Sequence, residues 1–395
     1  MIAYIKNPEQ KFGVFYCFYE NICYNPNMDK DILKALEILE EGNPFASFLK
    51  DSTLSRVDKW FSTGSYALDA IISGRMKNGG VPSGRLTMFY GESMTYKSSV
   101  VQKILANAQK EGLIPVIFDS ENAIDPEGAE RLGLDTSKVK YVPIFNIEQC
   151  RNSLHKFLMN VKEKGLEGKF IIAIDSLGNL ESALETARIE KDSHSVDMGT
   201  RARAIKSLLR TCTQLSAMTK TSIIITNHLY DNPGDLHPTL VKNMPGGKAC
   251  VYLPSISVQF MRKPVKEDAV KSENNGLAVG QRNYVGIIIR ALTAKNRFIK
   301  QYLESELYIS FSSGADKYHG LLDLAVGLGI IEQTGSTYSF NGEKLGYAKS
   351  FINKTSFWDG IIPLIDERIK TEWAYSSQQA KENTAMETEI EEEQE

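Results

Sequence analysis

The sequence predicts an α/β protein built on a mostly parallel central sheet flanked by helices. Two observations carry this. Short apolar runs rich in β-branched residues recur at "RLTMFY" (85–90), "LIPVIF" (113–118), "KFIIAID" (169–175) and "TSIIITNH" (221–228), then around "ISVQFM" (256–261) and "YVGIIIRAL" (284–292). Helical stretches separate the first four. Strands that are apolar throughout, rather than alternating, are buried on both faces, as in a parallel sheet covered by helices.

Taken in order, residues 1–27 form an aromatic, loop-like extension ahead of a second methionine, Met28. Segment 28–60 opens with Ile32, Leu33, Leu36, Ile38 and Leu39 at helical spacing and Gly42 as a stop. Residues 61–300 hold the alternating strands and helices. Residues 301–375, including "GLLDLAVGLGIIEQTGSTYSF", read as a smaller C-terminal α/β module, and 376–395 as a disordered acidic tail poor in apolar side chains.

With 42% hydrophobic and 24% charged residues in 395, the composition suits a globular chain with a substantial core. A formal charge of -3 makes no global case for a nucleic-acid partner, so any such binding rests on local patches. No apolar run is long enough to span a bilayer, and "MIAYIKNPEQ" lacks the apolar core of a signal peptide. The expected location is therefore the cytoplasm, with no membrane partner. The five cysteines (Cys17, Cys23, Cys150, Cys212, Cys250) are odd in number and mostly lie in apolar stretches, which points to buried reduced thiols.

The chemistry-bearing stretch is "GESMTYKSS", comprising Gly91, Glu92, Ser93, Met94, Thr95, Tyr96, Lys97, Ser98 and Ser99. It departs from the usual phosphate loop, Gly-x4-Gly-Lys-Ser/Thr, because Tyr96 replaces the second glycine. Alone the match is weak, and a structural βα turn is the rival reading. Context strengthens it: an apolar strand precedes it, and a helix follows with Val101, Ile104, Leu105 and Ala108 on one face and Gly112 at its end. In that geometry backbone N–H groups and the helix dipole face a β-phosphate, Lys97 adds a point charge, and Ser98 ligates Mg²⁺. Tyr96 then fits in one of two ways: an ordinary negative φ, or a tolerated strain.

Asp175 ends one buried strand, where a carboxylate can hold the water shell of Mg²⁺. Glu121 follows another and can orient or deprotonate an attacking water. Asn227 and His228 end a third, where a polar group can sense a γ-phosphate. Each has a bland rival as a solvated or capped strand end. Ligands of open α/β sheets bind beyond the carboxyl ends of strands, so the three support one another.

The ordered runs "FDSENAIDPEGAERLGLD", "IIAIDSLGNL", "MGTRARAIKSLLR", "IIITNHLY", "MPGGKACVY" and "GLLDLAVGLGIIE" resemble the RecA-type recombinases, and most closely the UvsX recombinases of large tailed phages, over roughly residues 45 to 365. UvsX-like proteins carry an aromatic at the position of Tyr96. The resemblance implies a RecA-type P-loop ATPase core using ATP and Mg²⁺, which assembles as a helical filament on single-stranded DNA and exchanges strands with homologous duplex DNA, assisted by mediator and single-strand-binding proteins. It implies catalytic roles for Lys97 and Glu121, an adenine contact at Asp125, a Walker-B role for Asp175, and an ATP–DNA link at His228, where bacterial RecA has glutamine. Lys295 and Arg297 in "TAKNRF" match a basic pair reaching the neighbouring subunit's γ-phosphate.

The resemblance also places DNA on two loops. The first, 181–206, is charge-balanced, yet Arg201, Arg203 and Lys206 gather in "TRARAIK". The second, "DNPGDLHPTLVKNMPGGK", offers Lys242 and Lys248 to phosphates and Met244 as a wedge between bases. Segment 28–60 is the expected oligomerisation segment, with Phe45, Phe48 and Leu49 as an anchor or as packing within their own chain. Rival classes are a recombination mediator or regulator of the same fold, and a hexameric helicase motor.

Overall fold

The computed structural model describes residues 30–189, 198–229, 244–266, 284–311 and 314–375. The chain divides into two compact units, 1–56 and 57–395. The described part of the first consists of helix α1 (Lys30–Gly42) and a short 3-10 turn at Leu49–Asp51. Ile38, Leu39, Phe48 and Leu49 are exposed, and Phe45 is half-buried.

The second unit opens with a ribbon of β1 (Trp60–Phe61) and β2 (Val81–Pro82), which brackets α2 (Tyr66–Ser73). The central sheet follows. Strands β3 (Leu86–Gly91), β4 (Ile114–Asp119), β5 (Lys140–Pro143), β6 (Phe170–Asp175), β7 (Ser222–His228) and β8 (Ile256–Lys266) run parallel. Then β9 (Tyr284–Asn296), β10 (Glu304–Ser310) and β11 (Gly314–Ala315) extend one side antiparallel. Spatial order is β11-β10-β9-β8-β3-β7-β6-β4-β5, nine strands in all. The sheet thus continues to residue 315. Beyond it lie α9 (Leu321–Gly327), the meander β12 (Glu332–Thr334), β13 (Thr337–Phe340) and β14 (Glu343–Tyr347), and α10 (Thr355–Glu372).

Period-two alternation explains why the strands read as unbroken apolar runs. On β6, Ile171 and Ala173 enter one core while Ile172 and Ile174 enter the other, and on β3 Phe89 and Met88 divide the same way. The first core is completed by α2, by α10 through Trp358, Ile362 and Ile365, and by α3 (Lys97–Lys110) through Val101, Ile104, Leu105 and Ala108. The second is completed by α5 (Ile147–Glu163) and α7 (Met198–Thr219), whose Leu154, Leu158, Leu208 and Leu209 are fully buried. Each such side chain contributes about 1.5–3 kcal/mol by leaving water. Between these elements lie α4 (Pro126–Arg131), α6 (Ala183–Ile189) and the short α8 (Ala249–Tyr252).

Local chemistry sets the helix ends. Asn146 caps α5 by accepting from Gln149 N at 2.8 Å. Gly112, at φ 85°, follows α3 in the left-handed region. Cys150, Cys212 and Cys250 are buried free thiols, and burial pushes the Cys150 and Cys250 thiols up to about 12. Cys17 and Cys23 lie outside the described residues. Among the described residues, no helix is long and apolar enough to cross a membrane.

Candidate functional site

Strand register builds the site. Asp119 pairs with Asp175 across β4 and β6, and Gly91 pairs with His228 across β3 and β7, so these strands end at one edge. At Gly91 a side chain has no room, because a Cβ would lie 2.5 Å from Phe260 O on β8. The chain then turns through residues 92–96 into the N-terminus of α3.

Tyr96 is the N-cap of α3 and takes φ 58° and ψ 23°, in the left-handed region. Met94, at φ 61°, does the same. Of the two alternatives for Tyr96, strain is therefore the one realised, in a residue type that rarely enters this region. Its half-buried ring packs against the first core.

Lys97 is buried, and its Nζ donates to Gly91 O (3.0 Å), Glu92 O (2.7 Å) and Thr95 Oγ1 (3.3 Å). Burial lowers its pKa, while the negative charges of Asp175, Glu121 and Glu92 act against that shift. Asp175 is buried at the end of β6 and accepts hydrogen bonds from Ser98 and from Thr226 Oγ1. Burial raises its pKa, the two hydroxyls oppose the rise, and Glu121 and Asp119 add to it. A hydroxyl and a buried carboxylate facing each other beside further negative charge are hard oxygen donors suited to Mg²⁺ with water completing the shell.

Glu121 sits in a bracket of polar groups. Its Oε1 accepts from Ser176 Oγ (2.7 Å) and Asn179 Nδ2 (2.7 Å), and lies 3.2 Å from His228 Nε2. Ser176 Oγ is also 3.2 Å from that nitrogen. The turn carrying Glu121 is held by Asp119, whose Oδ1 accepts from the N–H groups of Glu121 (2.8 Å) and Asn122 (3.0 Å). His228 reaches the carboxylate because residue 178 is glycine: a Cβ there would lie 2.8 Å from His228 Cδ2. The Asp175–Ser176 peptide is cis. Neighbouring Asn227 is fully buried and donates to Pro245 O at 3.2 Å.

The remaining sequence-nominated residues lie further out. Asp125 caps α4, accepting from Gly128 N at 2.8 Å. Arg201, in the first turn of α7, donates from Nε to Leu180 O (3.0 Å) and from Nη2 to Gly178 O. Arg203 and Lys206 are exposed, with Arg203 Nε donating to Gly199 O at 3.2 Å. Met244 is half-buried against the second core, and Lys248 is exposed beside α8. Lys242 and most of the second loop lie outside the described residues, as do residues 190–197 of the first. Lys295 Nζ and Arg297 Nη2 (3.1 Å for the latter) both donate to Tyr252 O. Burial, with help from Arg297, lowers the Lys295 pKa to about 8.

Sequence reasoning passed over Asp119, Ser176, Gly178, Asn179 and Thr226. The available signal was the polar run "DSLGNL" directly after an apolar strand, and a threonine next to the strand end in "IIITNH".

A phosphate-type loop between a buried strand and a helix N-terminus, faced by carboxylates from parallel neighbours, defines a P-loop α/β protein. Residues 32–316 match the family described as the RecA N-terminal domain. Among curated relatives, Protein RecA of Cutibacterium acnes is 30% identical over 292 residues, covering 74% of this chain and 76% of the relative. Protein RecA of Mycobacterium sp. (strain KMS) is 28% identical over 348 residues, covering 87% and 92%. That of Frankia casuarinae is 30% identical over 326 residues, covering 78% and 86%. The chain belongs to the RecA family.

Proposed function

We propose that the chain is a phage-type recombinase of this family: a Mg²⁺- and single-stranded-DNA-dependent ATPase that polymerises on DNA and exchanges homologous strands. RecA-family members are DNA-dependent ATPases. The observation that carries the reading for this chain is the convergence of Lys97, Ser98, Asp175 and Glu121 at one sheet edge. The aromatic at 96 supports the phage-type branch.

In this reading the N–H groups at the start of α3 and the Lys97 ammonium bind the triphosphate, and Ser98 and Asp175 hold Mg²⁺. ATP supplies the transferable γ-phosphoryl group. Glu121 orients and accepts a proton from the attacking water, and Asp125 meets the adenine. Lys295 and Arg297 act on the neighbouring subunit's phosphates, which makes turnover depend on filament assembly. Arg203, Lys206, Lys242 and Lys248 contact DNA phosphates and Met244 separates bases. Segment 28–60 provides the subunit contact, and mediator and single-strand-binding proteins assist loading.

The test is ATP hydrolysis by the full chain with Mg²⁺, with and without single-stranded DNA. DNA is expected to stimulate it, and Lys97→Ala or Glu121→Gln to abolish it; full activity in either variant sinks the site assignment. Electron microscopy with ATP and DNA should show helical filaments. Rings or isolated subunits would instead favour a helicase or mediator.

A further inference from the structure

We propose that Asn179, clamped by Arg201, is the positioning residue for the Glu121 carboxylate, so that the first turn of α7 sets the geometry of the catalytic base. The inference rests on the role given to Glu121 above.

Three side chains meet Glu121 Oε1, and they are not equivalent. Ser176 has a single hydroxyl proton, and its Oγ, 2.7 Å from Glu121 Oε1, also lies 3.2 Å from His228 Nε2, a ring nitrogen competing for it. His228 Nε2 stands at 3.2 Å, longer than either other contact. Asn179 Nδ2 lies at 2.7 Å and can only donate, which is the match a carboxylate requires. Yet Asn179 is exposed, so packing does not fix its rotamer. Its backbone must be held by something else.

Arg201 holds it. The guanidinium reaches across 21 and 23 residues of sequence to the carbonyls of Leu180 and Gly178, the two residues flanking Asn179. A planar fork binding both neighbours fixes the orientation of the peptide units between them, which a point charge such as lysine cannot do. Gly178 is in addition confined by His228, and Leu180 is buried in the second core. The turn therefore presents Asn179 rigidly, and α7 feels any displacement of Glu121 through Arg201. A side chain used in this way is committed to the two carbonyls that flank Asn179.

The experiment measures kcat at saturating ATP and single-stranded DNA, equilibrium affinity for a fluorescent ATP analogue, DNA affinity, and the pH–rate profile. Variants of the full chain are Asn179→Ala, Asn179→Asp, Arg201→Gln, Arg201→Lys and the double Asn179→Ala/Arg201→Gln. Asn179→Ala is expected to lower kcat about tenfold with nucleotide and DNA affinity within twofold of the parent. Arg201→Gln and Arg201→Lys should share that kcat defect at saturating DNA. The double variant should be no worse than the singles, because they remove one arrangement. Asn179→Asp sets a like charge against Glu121 and should move the acidic limb of the profile up by about one pH unit. A double variant about a hundredfold down, an unmoved acidic limb, or an Arg201→Gln defect confined to DNA affinity would each overturn the proposal. Turnover surviving in Lys97→Ala would instead overturn the site reading itself.

Discussion

The left-handed backbone of the phosphate loop makes a quantitative prediction. Tyr96 sits at φ 58° and Met94 at φ 61°, conformations that cost a residue with a Cβ about 1–2 kcal/mol relative to glycine. At Tyr96 a half-buried ring partly offsets this, since burial of half an aromatic side chain is worth about 1 kcal/mol. Tyr96→Ala loses the ring and keeps the strain, whereas Tyr96→Gly loses the ring and sheds the strain. The glycine variant should then be more stable than the alanine variant by about 1 kcal/mol, after allowing for the looser unfolded chain. Met94 is 75% exposed, so Met94→Gly sacrifices little packing and should raise stability by about 0.5–1 kcal/mol over Met94→Ala. Urea denaturation of the four variants, read by fluorescence and circular dichroism, measures both differences. Alanine equal to or better than glycine at both positions would refute the reasoning, because no left-handed strain would then be present to relieve.

Three further outcomes follow from named groups. Lys295 is held near a pKa of about 8 by burial and by Arg297, so it loses its charge as pH rises through 8 instead of 10.5. DNA-stimulated hydrolysis should decline above pH 8, and Lys295→Arg should carry the plateau further into alkali, as a pH–rate profile would show. Gly178→Ala places a methyl 2.8 Å from His228 Cδ2 and 3.1 Å from Asn227 Oδ1, so thermal denaturation should report about 1–3 kcal/mol of destabilisation, and hydrolysis should fall with it. Asp69 is fully buried beside Ser62 and Thr63, and burial raises its pKa to about 7 from 3.8. The folded state thus favours the protonated acid, so its contribution is complete below pH 3.8 and is lost as pH rises towards 7. Denaturation midpoints of the parent should fall across that window, and Asp69→Asn should flatten the trend.

The parallel sheet was legible because burial on both faces forces continuous apolar strands, and residues at strand ends inherit a common edge. By that logic Lys97, Glu121, Asp175 and His228 fall at one sheet edge on sequence alone. It did not reach Asn179, and it offers Arg201 to DNA instead of to the carbonyls of Gly178 and Leu180, because both contacts depend on a turn 58 residues beyond Glu121 in sequence folding back onto it. Nor did it reach Asp119, whose job is to accept from the N–H groups of the next turn, something any strand-end carboxylate could be doing. The conformation of Tyr96 was undecidable from its identity alone, since tyrosine normally avoids the angle it adopts. The composition beyond residue 301 suggests a separate module, whereas β10 and β11 pair into the central sheet through β9.

The strand order has a consequence for biosynthesis. β3, which ends in the phosphate loop, finds its two sheet neighbours only in β7 and β8, pairing Leu86 with Ile223 and Thr87 with Ile256. On a nascent chain one edge of that central strand stays unpaired until β7 has left the ribosome, and the other until residues near 260 have. At about 5–20 residues per second the loop waits roughly ten to thirty seconds after its own synthesis before it has walls. A polypeptide truncated anywhere before β7 would carry the phosphate-loop sequence without its shape, exposing an apolar strand suited to aggregation rather than to nucleotide.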